Sequence, residues 1–332
     1  MGDSTRGGGE VTRGPWHVAV LMGGWSAERE VSLMSGKGVA DALESRGHKV
    51  TRIDMDRDVA QRLAEAKPDV VFNALHGVPG EDGTVQGMLE LADLPYVGTG
   101  VLGSAVAMDK AMAKQVAAAA GIPQARHRAF RAHEMNPGLP AEVAAELGLP
   151  VFIKPANMGS SVGVSKARTI EELAVAIEVA LTYDEWVVVE EAVIGREIEV
   201  AVLGNLEPRA SVPGEIVPGA EFYDYADKYL DAGSQAIVPA RLTAEQTTAV
   251  QELALRAFNA LRCEGLSRCD FFFEEHGRGF LLNEVNTMPG FTPISMYPKL
   301  WIASGMTYPT LIDELVRLAI ERHSRRRRNT SH

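Results

Sequence analysis

Two short apolar runs near the C-terminus constrain the fold of this chain most strongly. They span residues 267–273 and 281–287, and the glycine-containing segment 276–279 between them is typical of a hairpin turn. Because strand side chains alternate between two faces, Arg268 and Asp270 point to the same side of the first strand. The pattern therefore predicts a hairpin with one charged face.

The second strand repeats this arrangement with Glu284 and Asn286. If the two strands pair in register, an arginine, two carboxylates and an amide converge on one surface of a sheet. Oxygen ligands of this kind suit Mg²⁺, which commonly sits between one or two carboxylates and nucleotide phosphates. A solvated sheet face with ordinary ion pairs explains the same pattern, so other motifs have to decide between the two interpretations.

The charge balance and the cysteine usage argue against several classes of protein. A formal net charge of -11 over 332 residues is unlike that of a nucleic-acid binder, and the arginine run 325–328 is predicted to be a solvated helix end. No apolar run approaches membrane-spanning length, and the N-terminus has no signal-peptide core. Cys263 and Cys269 provide neither a disulfide framework nor a metal motif, which favours a reducing cytoplasm.

The order of predicted strands and helices divides the chain into an N-terminal extension and three domains. The extension comprises residues 1–15 and is predicted to be disordered. The three domains that follow have the limits 16–108, 109–203 and 204–332. In the first domain, strand–helix alternation predicts a parallel sheet with helices on both faces, and ligands gather where its strands end, near Glu28 and His76. The central domain is predicted to be small and α+β, and the third to contain an antiparallel sheet. The fold class is therefore α/β combined with α+β.

A glycine–serine segment at 159–163 is the first candidate ligand site. It lies between two predicted strands and follows Lys154. Small residues let backbone N–H groups approach an anion closely, and the serine hydroxyls add donors. A tight loop without a ligand is the alternative, but Lys154 supplies the point charge that a phosphate needs. Lys110, at the start of a helix, is a weaker candidate of the same kind.

Two further segments are compatible with nucleotide chemistry. Acidic residues follow the apolar run 187–189, where a carboxylate could hold a ribose hydroxyl and strand-end backbone groups could contact an adenine edge; ordinary charges at a hairpin end are the alternative. Residues 221–229 form a long segment rich in tyrosine, which is typical either of a packed surface loop or of a lid that excludes water.

Six separated motifs together carry a family resemblance. They are residues 23–32, 75–77 with 80–83, 108–110, 154–163, 222–225 with 228–229, and 283–287 with 289–290. In this order and spacing the chain resembles the ATP-grasp ligases and, among them, the D-alanine–D-alanine ligase family, over nearly all of residues 16–319. The resemblance implies three domains of the ATP-grasp fold, with ATP between the central and C-terminal antiparallel sheets.

The resemblance also implies a reaction. The carboxylate of a first D-alanine attacks the γ-phosphate of ATP to form an acyl phosphate, which the amine of a second D-alanine then attacks, giving D-alanyl-D-alanine for peptidoglycan precursors. ATP binding is assigned to Lys110, Lys154, Ser160, Ser161, Glu190, Glu191, Val193, Glu197 and Lys228. Among these, the lysines contact phosphates, whereas Glu190 and Glu197 hold adenine and ribose. The metal is Mg²⁺ or Mn²⁺, with two ions expected, and its ligands are Asp270, Glu284 and Asn286.

The remaining implied roles concern the amino acids. The first D-alanine is bound by Glu28, with His76 nearby, and the second by Ser295 and Met296. The oxyanion is stabilised by Arg268 and the backbone N–H of Gly290. A hydrogen-bonded group of Glu28, Ser160 and Tyr229 ties a lid over the site. The family further implies a cytoplasmic homodimer.

Several alternatives remain at this stage. A sibling enzyme of the same fold would use D-lactate or D-serine as the second substrate, although Tyr229 matches ligases that use an amine. A dehydrogenase is disfavoured because the glycines at 23–24 lack the G-x-G-x-x-G spacing. A catalytically silent nucleotide sensor is disfavoured by the intact charged residues. The chain departs from several relatives at Val78 and Pro79, so the contacts around His76 are left open.

Overall fold

The computed structural model describes residues 14–217, 235–292 and 294–326. The predicted disorder of residues 1–15 therefore falls almost entirely outside the described residues, as do the tyrosine-rich segment 221–229 with Lys228 and Tyr229, and the last two arginines of the run 325–328. Arg325 is partly exposed and forms an ion pair with Glu264.

The first sheet is parallel, as predicted, with strand order β2-β1-β3. Strand β1 is a continuous apolar run that is buried on both faces, which is typical of parallel strands covered by helices. The elements of this region are β1 (His17–Gly23), α1 (Arg29–Ser45), β2 (Lys49–Met55), α2 (Val59–Ala66), β3 (Val70–Asn73), α3 (Thr84–Leu91) and α4 (Val101–Met108).

The second sheet has four antiparallel strands in the order β4-β7-β5-β6. Helix α5 precedes it and begins at Lys110, where the Asp109 side chain accepts a hydrogen bond from the Met112 amide and caps the helix. The elements are α5 (Lys110–Ala119), β4 (His127–Arg131), a 3-10 turn (Ala132–Glu134), α6 (Leu139–Leu147), β5 (Val151–Pro155), β6 (Ser165–Ala167), α7 (Ile170–Ala180) and β7 (Trp186–Glu191).

The third sheet is antiparallel, with order β11-β10-β8-β12-β13 and β9 paired to β8. Its elements are β8 (Arg196–Gly204), β9 (Arg209–Ala210), β10 (Gly214–Val217), β11 (Gln235–Ile237), α8 (Ala244–Ala260), β12 (Gly265–Glu274), β13 (Gly279–Asn286), α9 (Met296–Ala303) and α10 (Tyr308–Arg326). Strand β8 belongs to this sheet although the sequence assigned most of it to the central domain, since β10 and β12 rather than β7 supply its hydrogen bonds. The other domain limits stay a prediction.

One hydrophobic core joins the first and third sheets. Phe72 of β3 packs edge-to-face on Phe291 with ring centroids 5.7 Å apart, and Leu311 and Leu315 of α10 belong to the same cluster. The buried Tyr297 hydroxyl donates to the carbonyl of Val202 at 3.0 Å. This shared core holds the residues that follow β13 against the N-terminal sheet. Within the described residues no helix combines the length and apolar character needed to cross a membrane.

Helix α1 packs so closely on β1 that its contact face tolerates no side chain at Gly36. A Cβ there would lie 2.5 Å from Cβ of Met22. We expect Gly36→Ala to lower the free energy of unfolding by about 1–3 kcal/mol, because the helix must shift to relieve the overlap. Urea unfolding measures the difference. Gly87→Ala in α3 is the matched control: a Cβ there meets nothing within 4 Å, so helix propensity predicts a gain of up to about 1 kcal/mol. Equal effects of the two substitutions would show that the contact at Gly36 is not tight.

Candidate active site

The charged hairpin predicted from the sequence is present and paired in register. Asp270 lies opposite Glu284 and Arg268 lies opposite Asn286, while the neighbouring strand β8 places Glu199 on the other side of Asp270. Three carboxylates therefore form a row across β8, β12 and β13. This row is the charged surface on which the site is built.

Arg268 is held within this row by two carboxylates. Its Nε and Nη2 donate to the two oxygens of Asp270, each at 2.7 Å, and Nε is 3.2 Å from Oε2 of Glu199. Burial disfavours the charge of the guanidinium, but the nearby carboxylates outweigh it and raise the pKa of Arg268 well above its ordinary value. The arginine is thus a permanently charged group with a fixed orientation.

A β-bulge in the hairpin changes the direction of one further side chain. Asp270 pairs with Glu284 but Phe271 pairs with Leu282, so Asn283 has no partner across the strand. Oδ1 of Asn283 accepts a hydrogen bond from Nζ of Lys154 at 3.2 Å. The bulge therefore connects the hairpin to the lysine strand of the central sheet.

Lys154 and Glu190 form the centre of a buried ion cluster. Nζ of Lys154 lies 3.1 Å from Oε2 of Glu190, and Nζ of Lys114 lies 3.2 Å from Oε1 of the same carboxylate. Burial alone would raise the pKa of Glu190, but the two ammonium groups lower it to about 2. Glu190 is consequently ionised throughout the physiological pH range.

The glycine–serine loop contacts the N-terminal domain through a hydrogen bond. Ser160 donates a short hydrogen bond to Oε1 of Glu28, and Nζ of Lys110 donates to the carbonyl of Met158 at 2.6 Å. Ser160 and Ser161 both adopt the left-handed region, with φ values of 50° and 59°. Non-glycine residues adopt this conformation at a cost, and such strain tends to persist at functional sites. The loop is therefore held in a defined conformation across two domains.

His76 is buried and surrounded by polar partners. Its Nε2 is 3.0 Å from the Ser35 hydroxyl, its Nδ1 is 3.1 Å from the carbonyl of Met288, and Oε1 of Glu81 is 3.5 Å away. Burial opposes protonation, but Glu81, Glu28 and the Met288 carbonyl raise the pKa of His76 above its ordinary value. Glu81 thus provides the contact to His76 that the sequence left open at Val78 and Pro79.

Gly290, Thr292 and Ser295, which precede α9, form another wall of the site. The Ser295 hydroxyl is 2.7 Å from that of Thr292, and a Cβ on Gly290 would lie 2.8 Å from the Ser295 Oγ. Ser295 stands at the N-terminal end of α9 and Met296 is its first residue. A carboxylate could be received here by a hydroxyl and a helix-end amide.

A cavity of about 570 Å³ lies between these walls. The predicted residues that line it are Glu28, His76, Lys110, Ser160, Arg268, Glu284, Asn286, Gly290, Ser295 and Met296. The predicted residues outside its lining are Lys154, Ser161, Glu190, Glu191, Val193, Glu197 and Asp270, of which Lys154, Glu190 and Asp270 contact residues that do line it. Glu191 is held on the far side by Arg126 and Arg278.

Sequence reasoning missed several residues of the site, namely Ser35, Glu81, Lys114, Glu199, Asn283 and Lys299. Glu81 and Asn283 lie in the motifs 80–83 and 283–287, in which they were assigned no role, and two of the other residues had a detectable signal. Lys114 follows Lys110 by four residues, which places both on one side of a helix. Glu199 follows Glu197 by two residues, which places both on the same face of a strand. The contact of Asn283 with Lys154 had no such signal, because a bulge is decided by pairing between strands.

The sequence matches known proteins over most of its length. The family described as D-ala D-ala ligase C-terminus matches residues 116–317, and that described as D-ala D-ala ligase N-terminus matches residues 57–99. A D-alanine–D-alanine ligase of Bacillus pumilus is 46% identical, covering 92% of this chain and 96% of that protein. The chain belongs to the D-alanine–D-alanine ligase family. The D-alanine–D-alanine ligase of Sphingopyxis alaskensis is 49% identical, covering 93% of this chain and 100% of that protein.

Solved structures agree with the family and confirm the ATP-grasp fold. The D-alanine-D-alanine ligase from Coxiella burnetii superposes with a TM-score of 0.81 at 35% identity, covering 93% of this chain and 95% of that one. The VanG D-Ala:D-Ser ligase from Enterococcus faecalis superposes with a TM-score of 0.80 at 34% identity, covering 91% and 99%. The fold expected from the sequence of this ligase family member is therefore confirmed in all three sheets.

Proposed function

We propose that this protein joins two D-alanine molecules with ATP to form D-alanyl-D-alanine, ADP and phosphate, as a step in making peptidoglycan precursors. One observation supports it beyond family membership. A single cavity is lined by Arg268 and Glu284 of the third sheet, Ser160 of the central loop and Glu28 of the N-terminal domain. Cationic, anionic and hydroxyl groups from all three domains thus surround one space large enough for the two substrates' reacting ends.

The chemistry divides into two transfers, and the residues act mainly by positioning. The carboxylate of the first D-alanine attacks the γ-phosphorus, the bond to the β–γ bridging oxygen breaks, and ADP leaves. The amine of the second D-alanine then attacks the acyl carbon, loses a proton, and phosphate leaves. Lys110 and Lys154 neutralise phosphate charge, while Arg268 and the Gly290 N–H receive the oxyanion of the tetrahedral intermediate.

Charge complementarity supports the placement of the amino acids. The carboxylate of Glu28 suits the ammonium group of the first D-alanine. The hydrogen bond that it accepts from Ser160 places it next to the glycine–serine loop, which is proposed to bind phosphate. Ser295 and the amide of Met296 suit the carboxylate of the second. Tyr229 and Lys228, which lie outside the described residues, are proposed to close the site from the lid segment.

The oxygen donors of the hairpin fit a hard divalent cation. Within the described residues no three His, Cys, Asp or Glu side chains are placed to hold a metal by themselves. Glu284 supplies a carboxylate from the cavity lining, and Asp270 supplies a second one whose two oxygens also accept from Arg268. Asn286 adds an amide oxygen that also accepts from the Met288 N–H at 3.0 Å. Mg²⁺ or Mn²⁺ bound there would neutralise phosphoryl charge, and two ions are proposed from the family.

A second candidate is ligation of D-serine in place of the second D-alanine. The structural likeness to the VanG D-Ala:D-Ser ligase supports it. A D-lactate ligase is the other sibling activity, for which the described residues offer no specific support. Homodimerisation and a cytoplasmic location are proposed from the family alone, and light scattering tests the dimer.

The proposed function is tested by measuring ADP and phosphate release from ATP and Mg²⁺ with D-alanine, with L-alanine as the matched control. We expect release that depends on D-alanine and a dipeptide product by mass spectrometry. Parallel reactions with D-alanine plus D-serine or D-lactate identify the second substrate. Tight ATP binding without D-alanine-dependent release would contradict ligase activity, and an ester as the main product would replace the amine-using assignment.

A further inference from the structure

The ion cluster at the cavity wall contains a lysine that lines the cavity but that neither the sequence motifs nor the proposed mechanism uses. Lys114 is 3% exposed and extends from α5 towards Glu190, which is also 3% exposed. Its ammonium lies 3.2 Å from one oxygen of that carboxylate, while Lys154 lies 3.1 Å from the other oxygen. A buried lysine is costly, so its position between helix and sheet calls for a physical reason.

The reason follows from the charges in this cluster. Two ammonium groups share the Glu190 carboxylate, so Lys114, Lys154 and Glu190 by themselves carry one more positive than negative charge, and the cavity-lining Glu284 also attracts Lys114. Lys154 also donates to the neutral amide oxygen of Asn283, which adds no charge. Burial lowers the pKa of Lys114, and the attraction of Glu190 opposes that shift. An excess positive charge in a buried place favours an anion at the cavity beside it.

We propose that Lys114 is a positioning residue that occupies one oxygen of Glu190 and thereby leaves the charge of Lys154 available to the phosphates of ATP. Without Lys114, Glu190 has Lys154 as its remaining cation in the cluster, and the ion pair between them strengthens. Lys154 is then held back from the nucleotide by its own carboxylate. The inference rests on the proposed function only in taking ATP as the ligand.

Lys114→Met tests this role because methionine fills similar space without charge. We expect the Kd for ATP, measured by displacement of a fluorescent ATP analogue in the absence of D-alanine, to rise about tenfold or more, which corresponds to losing a charge-assisted contact. The KM for ATP should rise in parallel, whereas the KM for D-alanine should stay within about twofold. Lys114→Arg keeps the charge and should retain most of the affinity.

A matched control separates this effect from a general loss of positive charge. Lys37→Met removes an exposed lysine of α1, whose Nζ pairs with Asp41 at 2.8 Å and lies outside the cavity lining. This variant should bind ATP like the unmodified protein. If Lys114→Met does not fold, Lys114→Gln keeps a polar group at the site and is expected to shift the Kd for ATP in the same direction.

A double-mutant cycle with Glu190→Gln distinguishes positioning from plain structural support. If Lys114 acts through the Glu190 carboxylate, Lys114→Met should change the ATP Kd less than about threefold in the Glu190→Gln background. Equal fold changes in both backgrounds, or a lower melting temperature with an unchanged ATP Kd, would overturn the proposal. The binding assay needs no turnover, so a failure of the ligase assay on the unmodified protein would count against the proposed function and leave this result interpretable.

Discussion

Arg268→Ala is expected to lower kcat for D-alanyl-D-alanine formation by about 10²-fold or more, with a much smaller change in the Kd for ATP. The guanidinium lines the cavity, as Gly290 does, and is held rigidly by Asp270 and Glu199. A donor fixed in this way stabilises charge that develops only in the transition state, so its loss affects turnover more than binding. Steady-state kinetics and nucleotide displacement measure the two effects separately.

The same substitution also removes the partner of buried carboxylates. Glu199, Asp270 and Glu284 form one row across three strands, and Arg268 is in contact with the first two. We therefore expect the free energy of unfolding to fall by about 3 kcal/mol, since unpaired buried charges repel one another. Arg268→Lys is the control: it keeps the charge but not the planar fork, so it should restore stability better than turnover. A kcat within about fivefold of the unmodified protein for Arg268→Ala would show that the arginine serves only to balance the carboxylates.

Glu284→Gln is expected to raise the Mg²⁺ concentration that half-saturates ATP use by on the order of tenfold or more. The substitution keeps the shape of the side chain but removes one of the two hairpin carboxylates that suit a hard cation. Glu284 lines the cavity and pairs with Asp270 in the strand register, so its charge faces the space in which the phosphates of ATP are proposed to bind. A Mg²⁺ titration of ADP release gives this concentration, and calorimetric titration of Mn²⁺ into the complex with an unreactive ATP analogue gives the metal affinity without turnover.

Glu274→Gln on the same hairpin is the matched control for this prediction. Glu274 lies at the turn, where its hydrogen bonds with Arg278 lower its pKa to about 2, and it does not line the cavity. Its substitution should leave the Mg²⁺ requirement unchanged. If Glu284→Gln and Glu274→Gln behave alike in both titrations, the hairpin carboxylates do not bind the metal.

The local patterns of the sequence were sufficient for the hairpin and for the type of each sheet. Alternation along residues 267–273 and 281–287 placed Arg268, Asp270, Glu284 and Asn286 on one surface, and the structure pairs them so. The prediction succeeds because side chains along a strand point to alternate faces, so residue spacing alone gives the face of each side chain. The alternation of strands and helices along the chain likewise predicted the parallel sheet of β1 to β3, because each element has its own residue periodicity.

Partners across the sheets could not be obtained in this way. Strand β8 follows β7 along the chain yet pairs with β12, which brings Glu199 beside Asp270. Asn283 reaches Lys154 because a bulge shifts the register between Asp270 and Phe271. Such pairings join residues far apart in sequence, so no window of neighbouring residues contains the information that decides them.

The sequence by itself determined which kinds of side chain are available, which family the chain belongs to, and how each strand distributes its polar groups between two faces. Only the tertiary structure decided which of those groups meet: Glu190 with both Lys114 and Lys154, Arg268 with both Asp270 and Glu199, and His76 with Glu81. The physical reason is that face and spacing follow from the local backbone, whereas burial and the sharing of charge depend on the packing of separate domains around one cavity.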